Sequence, residues 1–228
     1  DDNNEIYYEY IAPKTKSKTF VFVNALTGST SAWNGHIGDK VVKEGNGYLA
    51  YNFRGQENSK FDKSIVLDTD IIVSDLVRLI NSLNLKNVIL VGLSIGGLYA
   101  ALALEKGVKS QGLVLVNTLR KNNPRLRWIN KTIVNVARYG GTSLLMDFYM
   151  PVIASPSFLE KMEPNALNPK NYEGLDENSG IFKLMEGSLT ANWDVDWSKI
   201  HIPTLIMTGH YDKVFRIPGD IDEICNTM

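Results

Sequence analysis

Val88-Ile89-Leu90-Val91-Gly92-Leu93-Ser94-Ile95-Gly96-Gly97 is the stretch that decides the fold. Four aliphatic residues run together without alternation, which predicts a strand buried on both faces, as in a parallel sheet covered by helices. A glycine-rich turn follows at once. Beyond it, from Gly97 to Glu105, Ala100, Ala101 and Ala103 are small enough to let a helix lie close on a sheet.

Working outward, the same pattern recurs. Short apolar runs stand at Phe20 to Val23, Tyr48 to Tyr51, Leu113 to Val116 and Thr204 to Met207, while Ile6 to Ile11 alternates and suits an antiparallel edge strand. Between the runs lie helical periods. Ile72, Leu76, Leu79, Ile80 and Leu83 recur at helical spacing after the capping candidates Asp68 to Asp70. Alternating strand and helix predict an α/β fold with a doubly wound, mostly parallel sheet.

The alternation stops between residues 119 and 198. There Leu126, Ile129, Ile133 and Ala137, then Leu144, Leu145, Phe148 and Tyr149, then Ile181, Phe182, Met185 and Leu189 keep a helical period with no strand-like run. Residues 165–179, rich in Asn, Pro, Gly and charge, read as a loop. The expected organisation is a core of residues 1–118 and 199–228, with a helical lid at 119–198 inserted after the strand at 113–116.

Gly92-Leu93-Ser94-Ile95-Gly96 matches G-x-S-x-G, a turn that holds a serine in a strained conformation between a strand and a helix. The small flanking residues make room for the turn, and the helix N-terminus behind it faces any anion formed at the serine oxygen. The context confirms the motif, since a buried strand precedes it and a helix follows. A dinucleotide-binding reading fails for want of a G-x-G on a first strand.

Two further stretches carry a family resemblance: Phe22-Val23-Asn24-Ala25-Leu26-Thr27-Gly28-Ser29 and Tyr51-Asn52-Phe53-Arg54-Gly55-Gln56-Glu57-Asn58-Ser59. With the serine turn, they make the chain resemble a lid-bearing, carboxylesterase-like serine hydrolase of the α/β-hydrolase superfamily. In that family the first stretch is a His-Gly-x-x-Gly-like turn; here Asn24-Ala25 replaces His-Gly. The second is similar to the family's Asp-x-Arg-Gly-x-Gly-x-Ser turn, which reads as structural, with Arg54 tying loops together. The resemblance implies Ser94 as nucleophile and the backbone N–H groups of Leu26 and Ile95 as the oxyanion hole. It implies Asp212, in Thr208-Gly209-His210-Tyr211-Asp212, as the acid; the alternative acid position, Asn117 or Thr118, cannot carry the charge. It also implies an apolar substrate pocket under the lid, formed by groups such as Leu144, Leu145, Phe148 and Tyr149.

The family order is Ser, Asp, His. The three histidines, His36, His201 and His210, all precede Asp212 and read as ordinary surface or packing residues. A helix, a strand and two loops need about 25 residues, and only sixteen follow Asp212. The histidine is therefore expected beyond Met228, with a last strand and helix absent from the chain. The start at Asp1-Asp2, without an initiator Met, likewise reads as trimmed, and a removed signal peptide stays open.

Composition narrows the rest. With 24 basic against 25 acidic residues and a net charge of −1, no clustered basic face calls for nucleic acid. No apolar run approaches the roughly 18 residues that span a bilayer. One cysteine excludes an internal disulfide and fits a cytoplasmic location; Cys225 reads as a buried thiol, and the four tryptophans as packing groups. Neither metal nor cofactor is expected. The expected partner is a small-molecule ester or acyl substrate, small to medium and partly apolar. Thioesterase, acyltransferase and carbon–carbon bond hydrolase chemistry share the same motifs and stay open, as does a non-catalytic receptor.

Overall fold

Residues 3–14 and 17–228 are described by a computed structural model; the trimmed start read at Asp1-Asp2 lies outside them. Among the described residues six strands form one sheet in the order β1-β3-β2-β4-β5-β6. They are β1 (Tyr8–Ile11), β2 (Thr19–Val23), β3 (Gly47–Tyr51), β4 (Val88–Leu93), β5 (Ser110–Val116) and β6 (Thr204–Met207). β1 pairs antiparallel with β3, Tyr8 opposite Tyr51, and every other pairing is parallel.

The unbroken apolar runs follow from cover on both faces. Along β2, Val21 and Val23 enter one core with Leu90 of β4 and Leu98 and Tyr99 of the helix after β4. Their neighbour Phe22 enters the opposite core with Ile89, Val91, Tyr48 and Trp33. Side chains alternate across a strand, so two buried faces favour apolar residues at successive positions.

Helices α1 (Ile37–Lys43), α2 (Thr69–Ser82) and α3 (Ile95–Glu105) connect the first strands. α2 begins where its sequence says: Asp68 caps it, accepting a hydrogen bond from the Ile71 N–H at 3.0 Å. α3 starts two residues before the expected Gly97, at Ile95, because the serine turn is itself the helix N-cap.

Between β5 and β6 lie α4 (Pro124–Ile153), α5 (Pro156–Met162) and α6 (Gly180–Ser188); α7 (Pro218–Thr227) follows β6. α4 breaks at Gly141, whose φ of 65° leaves the helical range and whose α-carbon faces the Glu173 carbonyl so closely that a Cβ would sit 2.0 Å from it. These helices build a core of their own from Val134, Ala137, Leu145, Phe182 and Met185, and Leu26 of the sheet edge packs against it. No helix among the described residues is long and apolar enough to cross a membrane.

Two packing expectations fail. Cys225 is exposed, because Ile224 occupies the buried face of α7 and the next residue lies 100° further round the helix. Trp128 is 78% exposed on α4, whereas Trp33, Trp193 and Trp197 are buried.

Candidate active site

The chain lays β3 on one side of β2 and β4 on the other, so the direction of winding reverses between β2 and β4. A crevice opens at the carboxyl ends of the strands at such a point. The turn after β2 carries Leu26, and the turn after β4 carries Ser94.

Ser94 has φ 55° and ψ −122°, a conformation that costs an L residue on the order of 1–3 kcal/mol. The surroundings enforce it. A Cβ on Gly92 would lie 2.3 Å from the Gly97 Cα, and one on Gly96 would lie 2.3 Å from the Val23 carbonyl oxygen. The Ser94 N–H donates to the Val116 carbonyl at 2.8 Å, and the Thr118 hydroxyl donates to the Ser94 carbonyl at 3.0 Å. The serine is thus clamped between β5 and its own helix.

The Leu26 turn is held by a buried amide network. Asn24 Nδ2 donates to the Tyr51 carbonyl, to Asn52 Oδ1 and to Gln56 Oε1, and Trp33 Nε1 donates to Asn24 Oδ1 at 2.6 Å. Gln56 Nε2 in turn donates to the carbonyls of Ala25 and Leu26 at 2.9 and 3.1 Å. With its carbonyls bound to Gln56, this turn leaves the Leu26 N–H without a hydrogen-bond partner among the described residues. The Ile95 N–H is also without one, as the first N–H groups of a helix are.

Asp212 lies in the loop after β6 and is 5% exposed. Its Oδ1 accepts from the backbone N–H groups of Val214 and Phe215 at 3.0 and 2.8 Å. The neighbouring acid position, Asn117, has a holding role instead: its Oδ1 accepts from the Gly209 N–H at 2.7 Å, anchoring the loop that presents Asp212.

Ser94, Asp212, Leu26, Ile95, Leu145 and Tyr149 all line one cavity of about 320 Å³. Leu144 and Phe148 do not, which corrects the expected pocket. On a helix, residues four apart share a face; Leu145 and Tyr149 share the inner one with Met146, Met150 and Ile153. Phe148 is turned outward, 49% exposed, and meets Tyr149 edge-on at 5.9 Å. A second cavity of about 540 Å³ lies wholly among residues 142–171 and touches none of the predicted catalytic groups.

None of the three histidines lines the Ser94 cavity. His36 precedes α1, His201 leads into β6 and His210 packs edge-on to Tyr211; all three are exposed.

The sequence reading missed Arg120. It is 4% exposed, and its Nη2 donates to Ser94 Oγ at 3.3 Å and to the Asn117 carbonyl at 2.7 Å, while Nε donates to the Thr118 carbonyl. Its guanidinium lies over the rings of Trp193 and Phe215, 4.3 and 4.0 Å from their centroids. Burial lowers its pKa to about 10, against the raising effect of Asp212 and Tyr149, so it is a cation at neutral pH. Burial also raises the Tyr149 hydroxyl well above its ordinary value, with Arg120 opposing and Asp212 assisting. Tyr149 is therefore a neutral phenol, able to donate. A lone arginine after a strand carries no signal of this placement in the sequence.

A sequence profile described as the alpha/beta hydrolase fold matches residues 18–227. Among solved structures, the chain is similar to MGS-M2, an alpha/beta hydrolase enzyme from a Medee basin deep-sea metagenome library. The TM-score is 0.79 at 22% identity, over 99% of this chain and 83% of that one. It is similar to an esterase from Exiguobacterium antarcticum (TM-score 0.78, 19% identity, 100% and 85% covered). It also resembles the enol-lactonase from Burkholderia xenovorans (TM-score 0.78, 20% identity, 98% and 85% covered). At such identities the likeness is one of fold. No curated protein sequence matches the chain.

Proposed function

The chain belongs to the α/β-hydrolase fold family, and from that premise we propose that it hydrolyses a carboxylic ester through an acyl-enzyme on Ser94. The observation that carries the reading is the strained Ser94, held at the switch point of the sheet in one cavity with Asp212 and the Leu26 and Ile95 turns. Strain of this kind concentrates where function requires it.

In this mechanism Ser94 Oγ attacks the ester carbonyl and gives its proton to a general base. The Leu26 and Ile95 N–H groups take the negative charge of the tetrahedral intermediate. The base returns the proton to the departing alcohol, and water then repeats the sequence on the acyl-enzyme. Asp212 orients the base and stabilises it when protonated. We take the base to be a histidine that follows Asp212 in chain order, as the family resemblance implies. Reading the complete coding sequence tests that part directly; a stop codon immediately after Met228 would remove it.

The chemistry is tested by labelling full-length protein with a fluorophosphonate and by turnover of p-nitrophenyl esters. Ser94 is the expected site of label, and Ser94→Ala should lose turnover by a factor of about 10³ or more for every ester alike. Turnover retained in Ser94→Ala would refute the acyl-enzyme. The alternative class is a ligand receptor on this fold, which would bind in the cavity without turnover. Absence of both label and turnover in the full-length protein would select that reading.

A further inference from the structure

The ester mechanism leaves Arg120 unused. Its guanidinium is buried beside the nucleophile, yet among the described residues no carboxylate lies within ion-pair distance of it. Asp212, the nearby acid, is engaged by the N–H groups of Val214 and Phe215. Arg120 Nη1 has no hydrogen-bond partner among the described residues. Two other donors on the same cavity share that condition: the Tyr149 hydroxyl and the Trp193 Nε1 are buried without a partner. Tyr149 stacks on Phe215, and Phe215 and Trp193 flank Arg120, so the three donors belong to one cluster.

Arg120 feels the charge of Asp212 without pairing with it, and buried donors without acceptors are costly. One ligand relieves all three. We propose that Arg120, with the Tyr149 hydroxyl and the Trp193 indole N–H, receives a carboxylate carried by the substrate, making the substrate a half-ester of a short dicarboxylic acid. This rests on the serine-hydrolase reading of Ser94 and deepens it. The guanidinium, lying over two aromatic rings, presents its unengaged Nη1 to a carboxylate as a charged donor. Arg120 Nη2 is 3.3 Å from Ser94 Oγ, so a carboxylate bound to the guanidinium lies only a few bonds from the carbonyl under attack. The acid is therefore short, with about one to three carbons between carboxylate and scissile carbonyl at ordinary hydrogen-bond distances. The rest of the cavity, lined by Leu145, Met150, Ile153 and Met185, leaves an apolar place for the alcohol portion.

The test uses full-length protein and two esters of matched length, p-nitrophenyl hydrogen glutarate and p-nitrophenyl valerate, which differ in a terminal carboxylate against a methyl group. The wild type should favour the anionic ester by about tenfold or more in kcat/KM, since a site built to bind a polar group rejects an analogue that lacks it. Arg120→Met should bring the ratio to one or below, and Arg120→Lys should keep part of it. A wild-type ratio near one, or a ratio unmoved by Arg120→Met, overturns the proposal while leaving the hydrolase reading intact. Should Arg120→Met fail to fold, Tyr149→Phe serves instead and should lower the ratio several-fold; an unchanged ratio there counts against the proposal. Binding supplies a readout free of turnover. Calorimetric titration of Ser94→Ala with monomethyl glutarate should show binding and with methyl valerate none. Equal binding of the two, or none of either, overturns the carboxylate site even where fluorophosphonate labelling shows that Ser94 is reactive.

Discussion

Asn24 stands where the family resemblance implies a histidine, and the structure shows what replaces it. Its amide donates to three acceptors and accepts from Trp33, and it shares Gln56 with the turn it supports. Gln56 spans the gap, accepting from Asn24 and from the Phe53 N–H while donating to the carbonyls of Ala25 and Leu26. Removing Gln56 leaves buried amides and carbonyls unsatisfied at about 1–3 kcal/mol each, and frees the turn that aims the Leu26 N–H. Gln56→Ala should therefore lower stability by about 2 kcal/mol in urea denaturation. It should also lower kcat by about 10²-fold with little change in KM, the pattern of a lost oxyanion donor. A fall in stability with kcat intact would mean that the network supports only the fold. In the sequence, Gln56 was legible as part of a structural turn; its reach across to Ala25 and Leu26, thirty and more positions away, was not.

At the scale of the element, α4 separates reading from supporting. Leu145 and Tyr149 face the cavity with Met146, Met150 and Ile153, while Phe148 faces outward. We propose that this segment chooses the substrate while the sheet edge does the chemistry. Leu145→Ala should then shift the preferred ester chain length, changing discrimination between neighbouring lengths by about 1–3 kcal/mol. Phe148→Ala should leave the rank order unchanged. Measuring kcat/KM across alkyl esters of one acid, with the alcohol lengthened step by step, decides it; a uniform loss in Leu145→Ala would show that the residue holds the helices together and does not read the substrate. Helical spacing alone put Leu144, Leu145, Phe148 and Tyr149 on one apolar side. It could not say which part of that side turns inward, because the break at Gly141 and the docking of Leu26 against the helices set the rotation of α4.

For the whole molecule, one ion pair fastens distant parts. Arg54, in the loop after β3, makes two bonds to Asp75 of α2 at 2.6 and 2.7 Å and a third to Asn4 at 3.0 Å. Asp75 is buried and Arg54 nearly so, and breaking such a pair strands the remaining charge. Asp75→Asn should lower unfolding stability by about 3 kcal/mol, read as a shift in the denaturation midpoint, with kcat/KM unchanged for the protein that stays folded. A loss of activity in the folded fraction would give Arg54 a role beyond tying loops. By itself the sequence determined the parallel sheet, its antiparallel edge strand, the cap of α2 and the strained serine turn. Each of these depends on residues close together in the chain: an unbroken apolar run, an Asp before a helical period, small residues around a serine. Only the tertiary structure decided that Arg120 is buried and that Tyr149 and Trp193 share its cavity with Ser94. Those side chains come from the loop after β5, from α4 and from the segment before β6, and their meeting depends on how separately folded elements dock, which local spacing does not encode.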